Sequence, residues 1–160
     1  MEDIWNITAL VVSVLSVLLS LYALRQATTK NTSDMYLFFI SQYAKEDMKL
    51  ALRKLKDIKR GVYRLEQWES DMKNNLPKAF EYDEARRLVK YFYDTLAYMK
   101  LEKLIEARFV RLICLKKGAW LYLDTVEAME KFFDSGYDKK PYAVIREVCE
   151  NLRKEGCCPP

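Results

Sequence analysis

The sequence predicts an all-α protein: one N-terminal transmembrane helix followed by a compact cytosolic domain of about five to six helices. Residues 4–24 form 21 positions without a charge, dense in Leu, Val and Ile, and Arg25 follows at once. The remainder repeats apolar residues at spacings of three and four almost everywhere, with little alternating β pattern. That remainder, about 130 residues, is long enough for one core and too short for two ordinary domains. The expected organisation is an anchor over 1–25, a linker over 26–32, a helical domain over 33–156 and a tail over 157–160.

At about 1.5 Å rise per residue the apolar run spans roughly 31 Å, the thickness of a hydrocarbon core. A secretory signal is the competing reading, but the run lacks a basic leader and a clean Ala-x-Ala cleavage site. Glu2 and Asp3 precede the run while Arg25 and Lys30 follow it, so the expected orientation places the N-terminus outside and the domain in the cytoplasm. Asn6, Ala9, Ser13, Ser16, Ser20 and Ala23 recur at alternating spacings of three and four, one seam of a heptad repeat. Small residues let helix backbones approach in lipid, so the seam predicts a parallel homo-oligomer. The alternative is that the hydroxyls bond back to their own helix.

In the domain, Thr32 or Ser33 is a plausible N-cap for a helix running to about Lys59, with Gly61 as its stop. A short helix is expected over 64–74, broken by Asn74, Asn75 and Pro77. Asp83 and Glu84 are placed in the first turn of the next helix, which carries Leu88, Phe92, Leu96 and Met99 on one face. A segment over 101–117 ends in Lys116, Lys117 and Gly118, with the glycine as stop. A helix over 120–133 is closed by Gly136, and Pro141 opens a last helix through about Lys154 with Val144, Val148 and Leu152 inward.

Composition argues against catalysis. The chain has no His, the commonest general base, and its four Gly stand apart and form no phosphate-cradling loop. No enzyme activity and no cofactor are expected. Cys114 and Cys149 fall at apolar helix positions and read as core, while adjacent Cys157 and Cys158 suit neither a bridge nor a metal clamp. All 27 Lys and Arg lie at or after Arg25 against 21 of the 23 acidic residues, which leaves this region at +6. Such an excess suits an anionic ligand, an anionic lipid surface or an ordinary soluble domain.

The basic residues are patterned. Lys45, Lys49, Arg53, Lys56 and Arg60 follow at spacings of four, four, three and four, which confines them to an arc of roughly 80° on a helix. Tyr43, Met48, Ala51, Leu55 and Ile58 point to the core instead. Like charges at such spacings repel, so the ladder calls for an acidic partner: carboxylates of the domain, lipid headgroups or nucleotide phosphates, unless it is simply a solvated face. A second group, Arg86, Arg87 and Lys90, ranks beside the stripe as a candidate ligand site, with Arg108 and Arg111 behind it. Tyr82, Tyr91, Tyr93 and Tyr98 lie near the second group, and aromatic faces with Arg forks can stack bases and hold phosphates. Tyr91 and Tyr98 also fit a role at the edge of the core with their hydroxyls at the surface.

The layout, with Arg86-Arg87-Leu88-Val89-Lys90-Tyr91-Phe92 and Tyr93-Asp94-Thr95-Leu96-Ala97, resembles small prokaryotic membrane-anchored helical-domain proteins. In architecture it also looks like the cyclic tetra-adenylate-binding membrane effector of type III CRISPR systems. That resemblance implies a single-pass inner-membrane protein of antiviral defence, whose cytosolic domain binds a cyclic oligoadenylate and whose membrane helix delivers the effect. A ring of four phosphates would suit a symmetric oligomer such as a tetramer, and no long nucleic acid is implied. The other expectation is a membrane-tethered adaptor for protein interactions with no nucleotide ligand.

Overall fold

The computed structural model describes residues 15–23, 33–134 and 136–157. The described residues are helices joined by turns, as the sequence predicts. Two compact units divide the chain, Met1–Leu37 and Phe38–Pro160. In the first, residues 15–23 are helical, and Leu15, Val17, Leu18, Leu19, Leu21 and Tyr22 are all more than half exposed. No helix among the described residues is long and apolar enough to cross a membrane, and most of the expected span, residues 4–14 and 24, lies outside them.

The second unit is built from helix α1 (33–44, from Phe38 onward), α2 (Glu46–Lys59), α3 (Leu65–Lys73), α4 (Pro77–Leu101), α5 (Ala107–Cys114), α6 (Lys117–Leu121), α7 (Glu127–Phe133) and α8 (Lys140–Lys154). A π-helical turn over Tyr122–Val126 joins α6 to α7 without a break. Helix α4 is the axis of the unit, packed by α2, α3, α5, α8 and the π turn. Val89, Tyr93, Leu96 and Ala97 of α4 are fully buried, and meet a core that includes Leu55, Ile113, Tyr122, Val126 and Ile145.

The helix expected to run through Lys59 bends at Lys45, whose backbone is extended at φ −60° and ψ 147°. No Gly or Pro causes this. Phe39 and Tyr43 pack on Phe92, while Met48, Ala51, Leu55 and Ile58 are buried along α2. At 100° per residue these two sets face directions about 120° apart, so one straight helix could not bury both. Glu46 and Asp47 then occupy the first turn of α2, where the helix dipole favours carboxylates.

Helix α4 starts at Pro77 rather than near Asp83, which places Asp83 in the helix interior and not in a first turn. Met99 is half-buried and Leu88 is 38% exposed, so the inward stripe runs through Val89, Phe92 and Leu96. Four helices end on a left-handed residue whose following N–H reaches back to a carbonyl of the last turn: Val62 to Asp57, Leu76 to Asp71, Leu104 to Met99 and Cys157 to Leu152. Gly61 and Gly156 fill two of these positions, but Asn75 and Lys103 fill the others. Lys103 gives no glycine signal, yet α4 ends at Leu101, where the sequence places the start of the next segment, and α5 occupies only Ala107–Cys114 of that segment.

Gly118 is not a helix stop. It is buried inside α6, where its N–H donates to the Tyr43 hydroxyl at 3.2 Å, and an added Cβ would stand 2.7 Å from Tyr93 Oη, 3.0 Å from Tyr43 and 3.1 Å from Leu52. Glycine is needed here for close approach of α6 to α2 and α4. Gly118→Ala is therefore expected to cost about 1–3 kcal/mol through overpacking, read as a lowered Tm in thermal denaturation. Gly136→Ala, where the nearest atom would be the Asp134 carboxylate at 3.2 Å, should shift Tm by far less.

Candidate ligand-binding face

The sequence offers two first-rank groups of cations, and burial separates them. Arg86 is 7% exposed in the middle of α4. Its Nε donates to Asp83 Oδ1 at 2.8 Å, its Nη1 pairs with Glu130 of α7, and its guanidinium lies 4.6 Å from the centre of the Phe133 ring. Arg87 reaches Asp83 Oδ2 at 2.7 Å. Lys90 pairs with Asp94 at 2.7 Å and lies 3.8 Å from Glu130. Asp94 also accepts from Tyr122, whose hydroxyl pKa is pushed up by burial and then by that carboxylate. Asp83, expected to answer a helix dipole, instead neutralises a buried guanidinium. Arg86 and Lys90 thus tie α4 to α7, while Arg87, 69% exposed, pairs within α4.

The lower-ranked pair is also engaged. Arg108 sits 2.7 Å from Glu106, and Arg111 grips Glu155 of the C-terminal turn with both guanidinium nitrogens. This grip holds the Glu155 carboxyl below the usual carboxylate range. The four tyrosines expected near Arg86 differ in exposure. Tyr82 and Tyr93 are buried, Tyr98 is 42% exposed with its hydroxyl donating to Asp138, and Tyr91 is the most open at 75% exposed.

The α2 stripe is different. Arg53, Lys56 and Arg60 are exposed, and no carboxylate among the described residues pairs with them. Lys49 makes only a local contact with Glu46 at 3.4 Å, both side chains more than half exposed, an arrangement worth a few tenths of a kcal/mol. On either flank of the stripe the cations are taken: Lys54 by Glu81 of α4, Lys59 by Asp124 of the π turn. Lys45, outside the helix at the bend, is exposed and also unpaired among the described residues.

Tertiary packing also sets α6 against α2. Gly118 of α6 abuts Leu52 of α2, and Leu52 is the i+3 neighbour of Lys49 and the i−4 neighbour of Lys56. Lys116 and Lys117, read from the sequence as the basic last turn of a helix, stand instead at the start of α6 and are exposed. The signal that could have shown this is the glycine itself, which marks a close approach rather than an end.

Of the membrane seam, Asn6, Ala9 and Ser13 lie outside the described residues. Ser16, Ser20 and Ala23 lie in the helical stretch 15–23, and the Ser20 hydroxyl donates to the Ser16 carbonyl at 2.8 Å. That bond uses the Ser20 donor within its own helix and leaves the oxygen free to accept.

No family model, curated protein or solved structure matches this chain.

The two cation groups should respond oppositely to removal. Arg86→Ala leaves Asp83 and Glu130 buried without their partner and is expected to cost about 3–5 kcal/mol in denaturant unfolding. Arg53→Ala and Lys56→Ala should each lie within about 0.5 kcal/mol of the parent protein. Equal effects at the two places would contradict this division of roles.

Proposed function

We propose that this chain is a single-pass membrane effector whose cytosolic helical domain binds a phosphate-rich ligand on the α2 face, cyclic oligoadenylate being the ligand implied by its architecture. One observation carries the reading: Arg53, Lys56 and Arg60 are exposed on one face of α2, and no carboxylate among the described residues pairs with them. Like-charged neighbours on one helix cost stability unless an anion faces them. Arg forks and Lys ammonium groups are the donors that phosphate oxygens take. The membrane part of the proposal is supported by the uncharged run 4–24 and by the exposed apolar side chains of helical residues 15–23, which need lipid or another apolar helix as cover.

The effector mechanism follows from linkage. A ligand that binds one arrangement of the assembled domains better than another biases that arrangement, and the connection from residue 24 to residue 33 is short enough to pass the change to a membrane oligomer built on the Ser-lined seam. No catalytic step is part of this proposal.

Calorimetric titration of the full chain in detergent with cyclic di-, tri-, tetra- and hexa-adenylate, at two salt concentrations, tests the ligand. One ring size is expected to bind, less tightly at higher salt, and Arg53→Ala with Lys56→Ala should weaken it by about tenfold or more. Absence of binding by every ring, with a protein recovered in pull-downs from membranes, would replace this reading with the adaptor one. For the seam, Ser13→Leu with Ser16→Leu is expected to dissociate the oligomer in chemical crosslinking and light scattering. An unchanged mass would rule the seam out.

A further inference from the structure

The bend at Lys45 leaves a half-open cleft of about 350 Å³ between α1, the head of α2 and the middle of α4. Its floor is formed by the buried side chains of Phe39, Met48 and Phe92, and its walls by Phe38, 53% exposed, and Tyr91. We propose that this cleft is the base-binding subsite of a nucleotide ligand, with a purine-sized ring against Tyr91 and Phe38 and its phosphate on Lys45. The inference rests on the reading of α2 as a phosphate-binding face and adds what that ligand must carry beyond phosphate.

Three features point to a base. Tyr82, Tyr93, Tyr122, Tyr137 and Tyr142 each pack against another aromatic ring, whereas Tyr91 has no ring partner among the described residues and stands open at the cleft. An exposed aromatic face beside a cationic groove is the arrangement that stacks bases of single-stranded nucleotides. The rim carries groups suited to a base edge: the Gln42 amide can both donate and accept, and the Asp47 carboxylate can accept from an exocyclic amine. Finally, Lys45 lines the cleft and is exposed and unpaired among the described residues, so the phosphate attached to a base in the cleft can reach its ammonium group. The volume lies in the range of small-molecule pockets, about 300–1,000 Å³.

The test uses the full chain in detergent, irradiated with 8-azidoadenosine monophosphate and mapped by mass spectrometry. The expected adducts lie on peptides containing Phe38 or Tyr91 and are chased by cyclic tetra-adenylate. In parallel titrations Tyr91→Ala should weaken adenylate binding by about tenfold, with Tyr91→Phe close to the parent protein. Inorganic tripolyphosphate, which has no base, should be insensitive to Tyr91→Ala and weakened by Arg53→Ala. Adducts mapping elsewhere, or parent-like adenylate affinity in Tyr91→Ala, overturn the base subsite while leaving the phosphate face in place. Failure of both tripolyphosphate and every cyclic adenylate to bind overturns both. Displacement of the label by phosphatidylglycerol nanodiscs and not by cyclic tetra-adenylate would assign the cleft to lipid, and also overturns the proposal.

Discussion

A guanidinium cannot be buried without carboxylates around it, and Arg86 imposes that condition at the centre of the domain. Desolvation of a lone ion costs several kcal/mol even after relaxation, so Asp83 one turn earlier on α4 and Glu130 on α7 must both face it. Glu130 in turn lies near Lys90, and Lys90 holds Asp94, which takes the Tyr122 hydroxyl. The chain of contacts fixes the rotation of α4 about its axis and the position of the helix that runs from α6 through the π turn to α7. Nearby, Glu127 accepts from Tyr137 at 2.7 Å and pairs with Arg146, which ties the same helix to α8. The Tyr137 hydroxyl is pushed up to about 12, first by burial and then by Glu127.

This constraint decides where charge remains for anything outside the domain. Helix α4 carries Arg86, Arg87 and Lys90 close together, and all three are matched by acids within helical or tertiary reach. Helix α2 has its acids at the ends and flanks, where Glu46 meets Lys49, and Asp124 and Glu81 reach only Lys59 and Lys54. The outward face is left to Arg53, Lys56 and Arg60.

The bend at Lys45 serves both packing and the cleft. Burial of Phe39 and Tyr43 on one side, and of Met48 and Leu55 on another, requires the change of direction, and the change of direction opens the gap lined by Phe38, Phe39, Met48, Tyr91 and Phe92. Hydrophobic burial thus produces a concave aromatic surface whose mouth carries a lysine.

The sequence by itself determined the helical class, the core faces of α2 and α8, the start of α8 at Pro141, the stop at Gly61 and the inward Cys114 and Cys149, because each depends on periodicity or on backbone preferences of one or two residues. It also contained the α2 stripe, since residues on one helix face are related by spacing alone. Only the tertiary structure decided that Arg86 is buried, that Gly118 is a contact and not a stop, and that the helix breaks at Lys45. In each case the deciding partner is distant in the chain: Glu130 for Arg86, Tyr43 and Leu52 for Gly118, Phe92 for the residues before the bend. Spacing can say which side chains share a face, but whether a cation on that face is free depends on the carboxylates that folding brings to it.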